Sequence, residues 1–389
     1  MVITIALPNC KSILIRQLIH RFVSDGAVLL VSENESSDVI VTHAALNAIV
    51  KNQKENSDFQ IKSVNVADCG AAYRFLMALL SVTPGKWFLT GTERLLNRPI
   101  QDLVDTLHGI GANIVPVQNG WQIEGQTLEA ESLIVNCSKS SQYASALLLI
   151  APKLGLKELQ LQPSNIPSEP YAQLTRACMD YEVQMPELGS KPSCLGRLGD
   201  WSSAAFWYAY AVLHPGQEFL LENLSLNSAQ GDAFVAQCFI QLGVESKETE
   251  DGVMIVARKT EFPSVIRLDM ADHLDLVPVM VALACQLPIH FVFENIRNLI
   301  YKESDRMTAL QQLSPLAEKM VAKDDVIEVV GKEMSYHQEL YLDTCADHRL
   351  AMAFLLLGKN VKLNDTDCLK KSYPGLMKQL KETNLQIEK

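Results

Sequence analysis

The chain has 389 residues, 48% hydrophobic and 20% charged, a globular composition too long for one core, so two domains are expected. Its net charge of −11 excludes the basic field that binding to nucleic acid or to an anionic membrane surface requires. Nine cysteines form no CxxC pair and eight histidines show no ligand spacing, so reduced thiols, a cytoplasmic location and no metal are expected.

Residues 1–8 read as a strand, apolar and alternating over 2–7, with no signal peptide or membrane-spanning run expected before them. Residues 8–12 read as a turn, 13–22 as a helix ending near Gly26, and 28–32 as a second strand. Asp38 starts a helix with Val41, Ala44, Ala45, Ala48 and Ile49 inward. Residues 51–57 are polar and read as a loop, and 61–66 as a strand leading to Asp68-Cys69-Gly70.

From there helices are expected to start near Gly70, Arg98, Ser140, Tyr171, Asp200, Gly231, Asp275, Lys302 and His348. Apolar strands lie between them, at residues 86–90, 133–136, 253–257 and 289–293. Every second start recurs at a nearly regular interval, too long for the common solenoids. Repeats of this size suggest compact βαβαββ units around a common axis, hence an α/β or α+β fold. Residues 184–199, rich in Pro, Gly and Ser, read as a linker or long loop.

The most charged of these starts is Lys302-Glu303-Ser304-Asp305-Arg306. Read as the first turn of a helix through Met307, Leu310 and Leu313 that Pro315 ends, it puts Lys302 and Arg306 on one face at i,i+4. Two cations and an acid at a helix N-terminus suit a phosphate or carboxylate with its own proton donor. Other starts also carry polar groups: Lys11, Ser12 and Arg16; Asp68 and Arg74; Arg98; Ser140-Ser141-Gln142; Ser168 and Tyr171; Asp275; Asn298; His348 and Arg349; Lys371. Singly, Arg74 reads as structural, Arg98 as a surface cation, the serines as a cap and His348 as a core residue. Jointly, so many cations in an acidic protein suit substrates carrying phosphate and carboxylate groups. No GxGxxG, GxxxxGK[ST] or GxSxG is present, which disfavours dinucleotide, P-loop and nucleophile-elbow chemistry.

In this order the motifs resemble the EPSP synthase family over nearly the whole chain. The resemblance runs through Lys11-Ser12 with Arg16, Gly70 with Arg74, Arg98-Pro99, Ser140-Ser141-Gln142, Pro170-Tyr171 and Gln230-Gly231-Asp232. It continues through Asp275, residues 302–306, Asp347-His348-Arg349 and Lys371-Ser372-Tyr373-Pro374. It implies a two-domain inside-out α/β barrel of six βαβαββ units, three per domain. Residues 1–9 with 200–389 would form one domain and 10–199 the other. It implies transfer of the enolpyruvyl group of phosphoenolpyruvate to the 5-hydroxyl of shikimate 3-phosphate, by a monomer without cofactor, with domain closure assembling the site.

By the same resemblance Lys11, Ser12, Arg16, Ser140, Ser141, Gln142, Ser168, Tyr171, Asp275, Asn298 and Lys302 would bind shikimate 3-phosphate. Lys11, Gly70, Arg98, Gln142, Glu303, Arg306, His348, Arg349 and Lys371 would bind phosphoenolpyruvate. Asp275 would be the base, and Glu303 with Lys11 the proton donors. The chain departs from the family at Asp68-Cys69-Gly70-Ala71-Ala72, usually Asn-Ala-Gly-Thr-Ala, and around Lys11, where polar neighbours are apolar. Two other readings are a UDP-N-acetylglucosamine enolpyruvyl transferase and a non-catalytic anion-binding relative.

Overall fold

The computed structural model describes residues 2–54, 61–180, 197–332, 339–358 and 360–382. Strand β1 (Val2–Ala6) precedes helices α1 (Lys11–Asp25) and α2 (Ser37–Lys54). Next come β2 (Lys62–Asn65), α3 (Gly70–Ser81), β3 (Gly85–Thr90), α4 (Glu93–Leu96), α5 (Gln101–Gly109), β4 (Asn113–Val117) and β5 (Gly120–Gly125). They are followed by β6 (Ser132–Asn136), α6 (Gln142–Leu154), β7 (Glu158–Gln162) and α7 (Pro170–Met179). Beyond residue 197 lie α8 (Trp201–Leu213), β8 (Glu218–Glu222), α9 (Phe234–Cys238), β9 (Val244–Glu248) and β10 (Gly252–Ala257). Then follow β11 (Val265–Asp269), α10 (Val277–Ala284), β12 (His290–Glu294), α11 (Arg306–Leu310), β13 (Lys319–Lys323) and β14 (Val326–Val330). The chain closes with β15 (Leu340–Leu342), α12 (His348–Leu355), β16 (Val361–Leu363) and α13 (Leu376–Glu382).

Two units result, one of Met1–Cys10 with Gly196–Lys389, the other of Lys11–Leu195. In the 11–195 unit, β2-β3-β5-β4 form one sheet, its first pair parallel and the rest antiparallel. That is a βαβαββ repeat, because the antiparallel hairpin β4–β5 folds back beside β3. β6 and β7 pair in parallel across α6, the first half of the same repeat. The buried helices α1, α3, α6 and α7 pack on one another. α3 buries every residue except Ala71, so it is an interior helix rather than an amphipathic one.

The other unit repeats the four-stranded order twice, as β1-β8-β10-β9 and β11-β12-β14-β13. β15 and β16 add a parallel pair across α12. Its core centres on α8, α10 and α12, with all eight residues of α10 buried. Apolar residues alternate along the outer strands, as in β11, where Ile266 and Leu268 face inward.

Several local expectations are corrected. Residues 28–32 form no strand; Leu30 is 91% exposed, and an apolar run without a pairing partner has no ladder to join. α2 runs on through Lys54, where a loop was expected; residues 55–57 of that loop lie outside the described residues. The helix expected near Arg98 starts at Gln101, after Pro99, and a short helix precedes it, capped by Thr92. Lys302 to Asp305 are not helical: Asp305 is the N-cap of α11, accepting from Thr308 N, and Pro315 sits inside a 3-10 turn. Of the linker expected at 184–199, residues 184–196 lie outside the described residues. Its end, at Gly199, bridges Asn9, and Cys10 N donates to Leu198 O at 2.6 Å.

Candidate active site

In the unit containing both chain termini, the site is built on one guanidinium. Arg306 is the first residue of α11 and is fully buried. Its Nε donates to Asp347 Oδ2 at 2.8 Å and its Nη2 to Asp347 Oδ1 at 3.2 Å. Nη1 donates to Asp275 Oδ1 at 2.9 Å, and Nη2 also donates to Glu303 Oε2 at 2.8 Å. Lys302 Nζ lies 3.2 Å from the same Asp275 oxygen. Arg349 Nε lies 3.9 Å from Asp275 Oδ2, and its Nη2 3.9 Å from Asp200 Oδ2. Lys302 and Arg306 therefore converge through the loop that precedes α11, not along a helix face.

Helix capping orients the acids. Asp347 caps α12 through Arg349 N, and Asp200 caps α8 through Ser203 N. Ser304 Oγ donates to Asp347 Oδ2 at 3.0 Å, tying the 302–305 loop to α12. Burial would raise the Asp275 carboxyl, but Lys302, Arg306 and Arg349 outweigh it and hold the group well below the usual carboxylate range. Burial would lower Arg306, and Asp347, Glu303 and Asp275 drive it upward instead. An incoming anion must therefore share cations that already hold carboxylates.

Other residues expected here lie near the ends of their elements. His348, buried, opens α12, with Nδ1 3.8 Å from Asp347 Oδ1. Asn298 sits half-buried in a 3-10 turn after β12, and Lys371 is buried at the end of another.

In the 11–195 unit, Lys11, Ser12 and Arg16 lie on the first turns of α1 rather than in a loop. Lys11 Nζ pairs with Asp38 Oδ2 at 2.8 Å. Arg16, 2% exposed, donates to Thr175 Oγ1 (2.7 Å), Ser12 O (2.8 Å), Ser145 Oγ (3.0 Å) and Tyr171 O (3.1 Å). It also stacks over Phe75 and Tyr171. Arg16 thus joins α1, α6 and α7 from within. Ser168, buried with φ 58°, turns the chain into α7, which carries Tyr171.

A second cluster gathers at Gly70, the first residue of α3. Arg74 donates to Gly70 O (3.0 Å), Gln142 Oε1 (3.0 Å) and Pro99 O (2.7 Å). A Cβ on Gly70 would stand 2.5 Å from Arg98 Nη1, so a side chain there would push that guanidinium aside. Burial, then the nearby Arg98, lowers Arg74 to about 10. Ser140, Ser141 and Gln142 open α6, and Ser140 Oγ accepts from Gln142 N at 3.3 Å. Asp68 is matched by Arg94, whose Nη2 donates to its Oδ2.

The structure thus groups Asp275, Lys302, Glu303, Arg306 and Arg349 in one unit. In the other it groups Arg16 with Ser12 and Tyr171, and Gly70 with Gln142 and Arg98. The sequence did not single out Asp347, Ser145, Thr175, Asp38 or Arg94 as site residues. Only Asp347 carried a signal, its place beside His348 and Arg349. Among the described residues no helix is long and apolar enough to cross a membrane, and no His, Cys, Asp and Glu group could hold a metal.

A family model described as EPSP synthase (3-phosphoshikimate 1-carboxyvinyltransferase) matches residues 36–380. A 3-phosphoshikimate 1-carboxyvinyltransferase of Bacteroides fragilis is 34% identical, covering 99% of this chain and 96% of its own. One from Methanospirillum hungatei is 28% identical over 96% and 94%. An EPSP synthase structure from Acinetobacter baumannii superposes with TM-score 0.66 at 18% identity, over 98% of this chain and 95% of its own. The enolpyruvyl transferase NikO from Streptomyces tendae gives 0.66 at 16% identity, over 99% and 94%. At these identities the two structures establish the shared fold.

Proposed function

The chain belongs to the EPSP synthase (3-phosphoshikimate 1-carboxyvinyltransferase) family, and on that footing we propose how its residues divide the work. The reaction moves the carboxyvinyl group of phosphoenolpyruvate to the 5-hydroxyl of shikimate 3-phosphate and releases phosphate. C3 of phosphoenolpyruvate gains a proton while the hydroxyl oxygen bonds to C2 and loses its own. The tetrahedral adduct then expels phosphate from C2, and C3 gives its proton back.

The observation that carries this reading is Arg306 holding Asp275 and Glu303 at once. As it stands, Lys302, Arg306 and Arg349 favour Asp275 ionised. A phosphate or carboxylate of the substrates would draw on Arg306, Lys302 and Arg349, and Asp275 would become more basic. Glu303 would take a proton from solvent, deliver it to C3 and take it back from C3, and Asp275 would accept the hydroxyl proton and pass it to the departing phosphate. Asp347 fixes Arg306 from behind, so the cation would not follow the substrate away. The same cations would stabilise charge on the departing phosphate.

In the 11–195 unit we assign Ser140, Ser141, Gln142, Ser168 and Tyr171 to shikimate 3-phosphate. The guanidinium of Arg98 at Gly70 suits the anionic end of phosphoenolpyruvate, and we keep Lys11 as a second proton donor. Arg16 would act by holding α1, α6 and α7 in register beneath that site. We place the protein in the cytoplasm as a monomer; burial that pushes the Cys238 and Cys285 thiols up to about 12 suits inert reduced cysteines.

The test is phosphate release by pure protein, freed of divalent metal with a chelator and given both substrates at saturation. Release matched by EPSP is expected. No turnover, or turnover only on adding metal, overturns the reading.

A further inference from the structure

The turns before α3 and before α4 are fastened together. Val66 N donates to Thr90 O at 2.9 Å, and Thr92 N to Ala67 O at 2.7 Å. A Cβ on Gly91 would stand 2.6 Å from the Ala67 carbonyl oxygen. Asp68 adds a charged fastening: Oδ1 accepts from Thr92 Oγ1 at 3.1 Å and Arg94 Nε at 3.3 Å, and Oδ2 from Arg94 Nη2. Thr92 Oγ1 also caps α4 by accepting from Leu95 N at 3.2 Å. Leu95 O in turn accepts from Arg98 N at 3.0 Å. One run of bonds therefore joins the Asp68 carboxylate to the backbone of Arg98, whose guanidinium packs on Gly70.

We propose that Asp68 and Arg94 are a positioning pair that sets the affinity for phosphoenolpyruvate. The inference rests on the activity proposed above. Arg94 holds the turn that presents Arg98, and its planar fork, donating to both Asp68 oxygens, fixes direction as well as distance. It also cancels a carboxylate that this chain places two residues from Gly70, beside the proposed anion site. Neither residue touches substrate in this account; both act through Arg98.

Steady-state kinetics on the full chain tests the pair with Arg94→Gln, Asp68→Asn and the double variant. Arg94→Gln is expected to raise the KM for phosphoenolpyruvate about tenfold, the factor that about 1.4 kcal/mol represents. The KM for shikimate 3-phosphate should stay within about twofold, since the carboxylate left behind repels the neighbouring anion most. Adding Asp68→Asn removes that carboxylate and should recover most of the loss. A merely structural pair would lower Tm and kcat without separating the two KM values, and would not be rescued. If Arg94→Gln does not fold, Arg94→Lys keeps the charge but not the fork, and an about threefold rise is expected. An unchanged phosphoenolpyruvate KM, an equal rise in both, or no rescue overturns the inference. Turnover by the unsubstituted chain separates those outcomes from failure of the activity itself.

Discussion

Arg306 and Asp347 meet as a fully buried bidentate pair, Nε to Oδ2 at 2.8 Å and Nη2 to Oδ1 at 3.2 Å. The pair spans α11 and α12 and leaves Arg306 aimed at Asp275 and Glu303. Its removal has consequences for stability and for chemistry.

Asp347→Ala removes the bidentate partner of a buried guanidinium that keeps Asp275 and Glu303. Breaking such a pair by removing one partner costs about 3–5 kcal/mol. Asp347 also caps α12 and accepts from Ser304, but Arg306 keeps Asp275 and Glu303, so the loss should fall at the lower end. Urea unfolding would measure it, and a midpoint equal to that of the unsubstituted protein would contradict the pair's role.

Glu303→Gln keeps size and one acceptor but cannot deliver a carboxyl proton. Losing one general acid costs ~10²–10⁴ in rate, so kcat should fall far more than either KM rises. An unchanged kcat would remove Glu303 from the proton path.

Asp275 sets an acid limb of stability. Burial raises its carboxyl, but Lys302, Arg306 and Arg349 together depress it below its unfolded value. A depressed carboxyl stabilises the fold above the unfolded pKa, about 3.9, and the contribution is lost as pH falls through the folded value. Melting temperature should therefore drop below about pH 4, and Asp275→Asn should flatten that drop. Parallel acid limbs in the two proteins would show that other carboxylates control it.

Ala71→Thr, with the Asp68–Arg94 pair left in place, should tighten phosphoenolpyruvate. A threonine hydroxyl can donate where Ala71 cannot, worth roughly 0.5–1.5 kcal/mol. Because Arg94 already matches Asp68, the gain should come from the hydroxyl. Titration calorimetry with shikimate 3-phosphate present would decide it, and equal or weaker affinity would mean the turn is already compensated.

Much of this was legible because charge and spacing are local. Lys302, Glu303 and Arg306 lie within one short run, and their chemistry was readable even though their conformation was not. Met307, Leu310 and Leu313 have helical spacing, yet Asp305 caps the helix and leaves Lys302 in the loop before it. Residues 28–32 have strand-like composition, but composition cannot say whether an edge is available. Arg16 bonds Thr175 and Ser145 at separations of 159 and 129 residues, which no periodicity reveals. The sequence posed whether an acid at 68 would find a cation, and the structure supplies Arg94.

The pairing of β1 with β8 bears on how the polypeptide is made. Val2 lies beside Glu218, so β1 has no sheet neighbour until residues beyond 217 have been synthesised. Lys11–Leu195 is one uninterrupted stretch with its own sheets and buried helices, and can collapse while translation continues. Until β8 appears, β1 offers unmatched backbone donors and acceptors, the kind of edge to which other nascent chains add. The unit that holds β1 is therefore finished after the one that follows it in sequence.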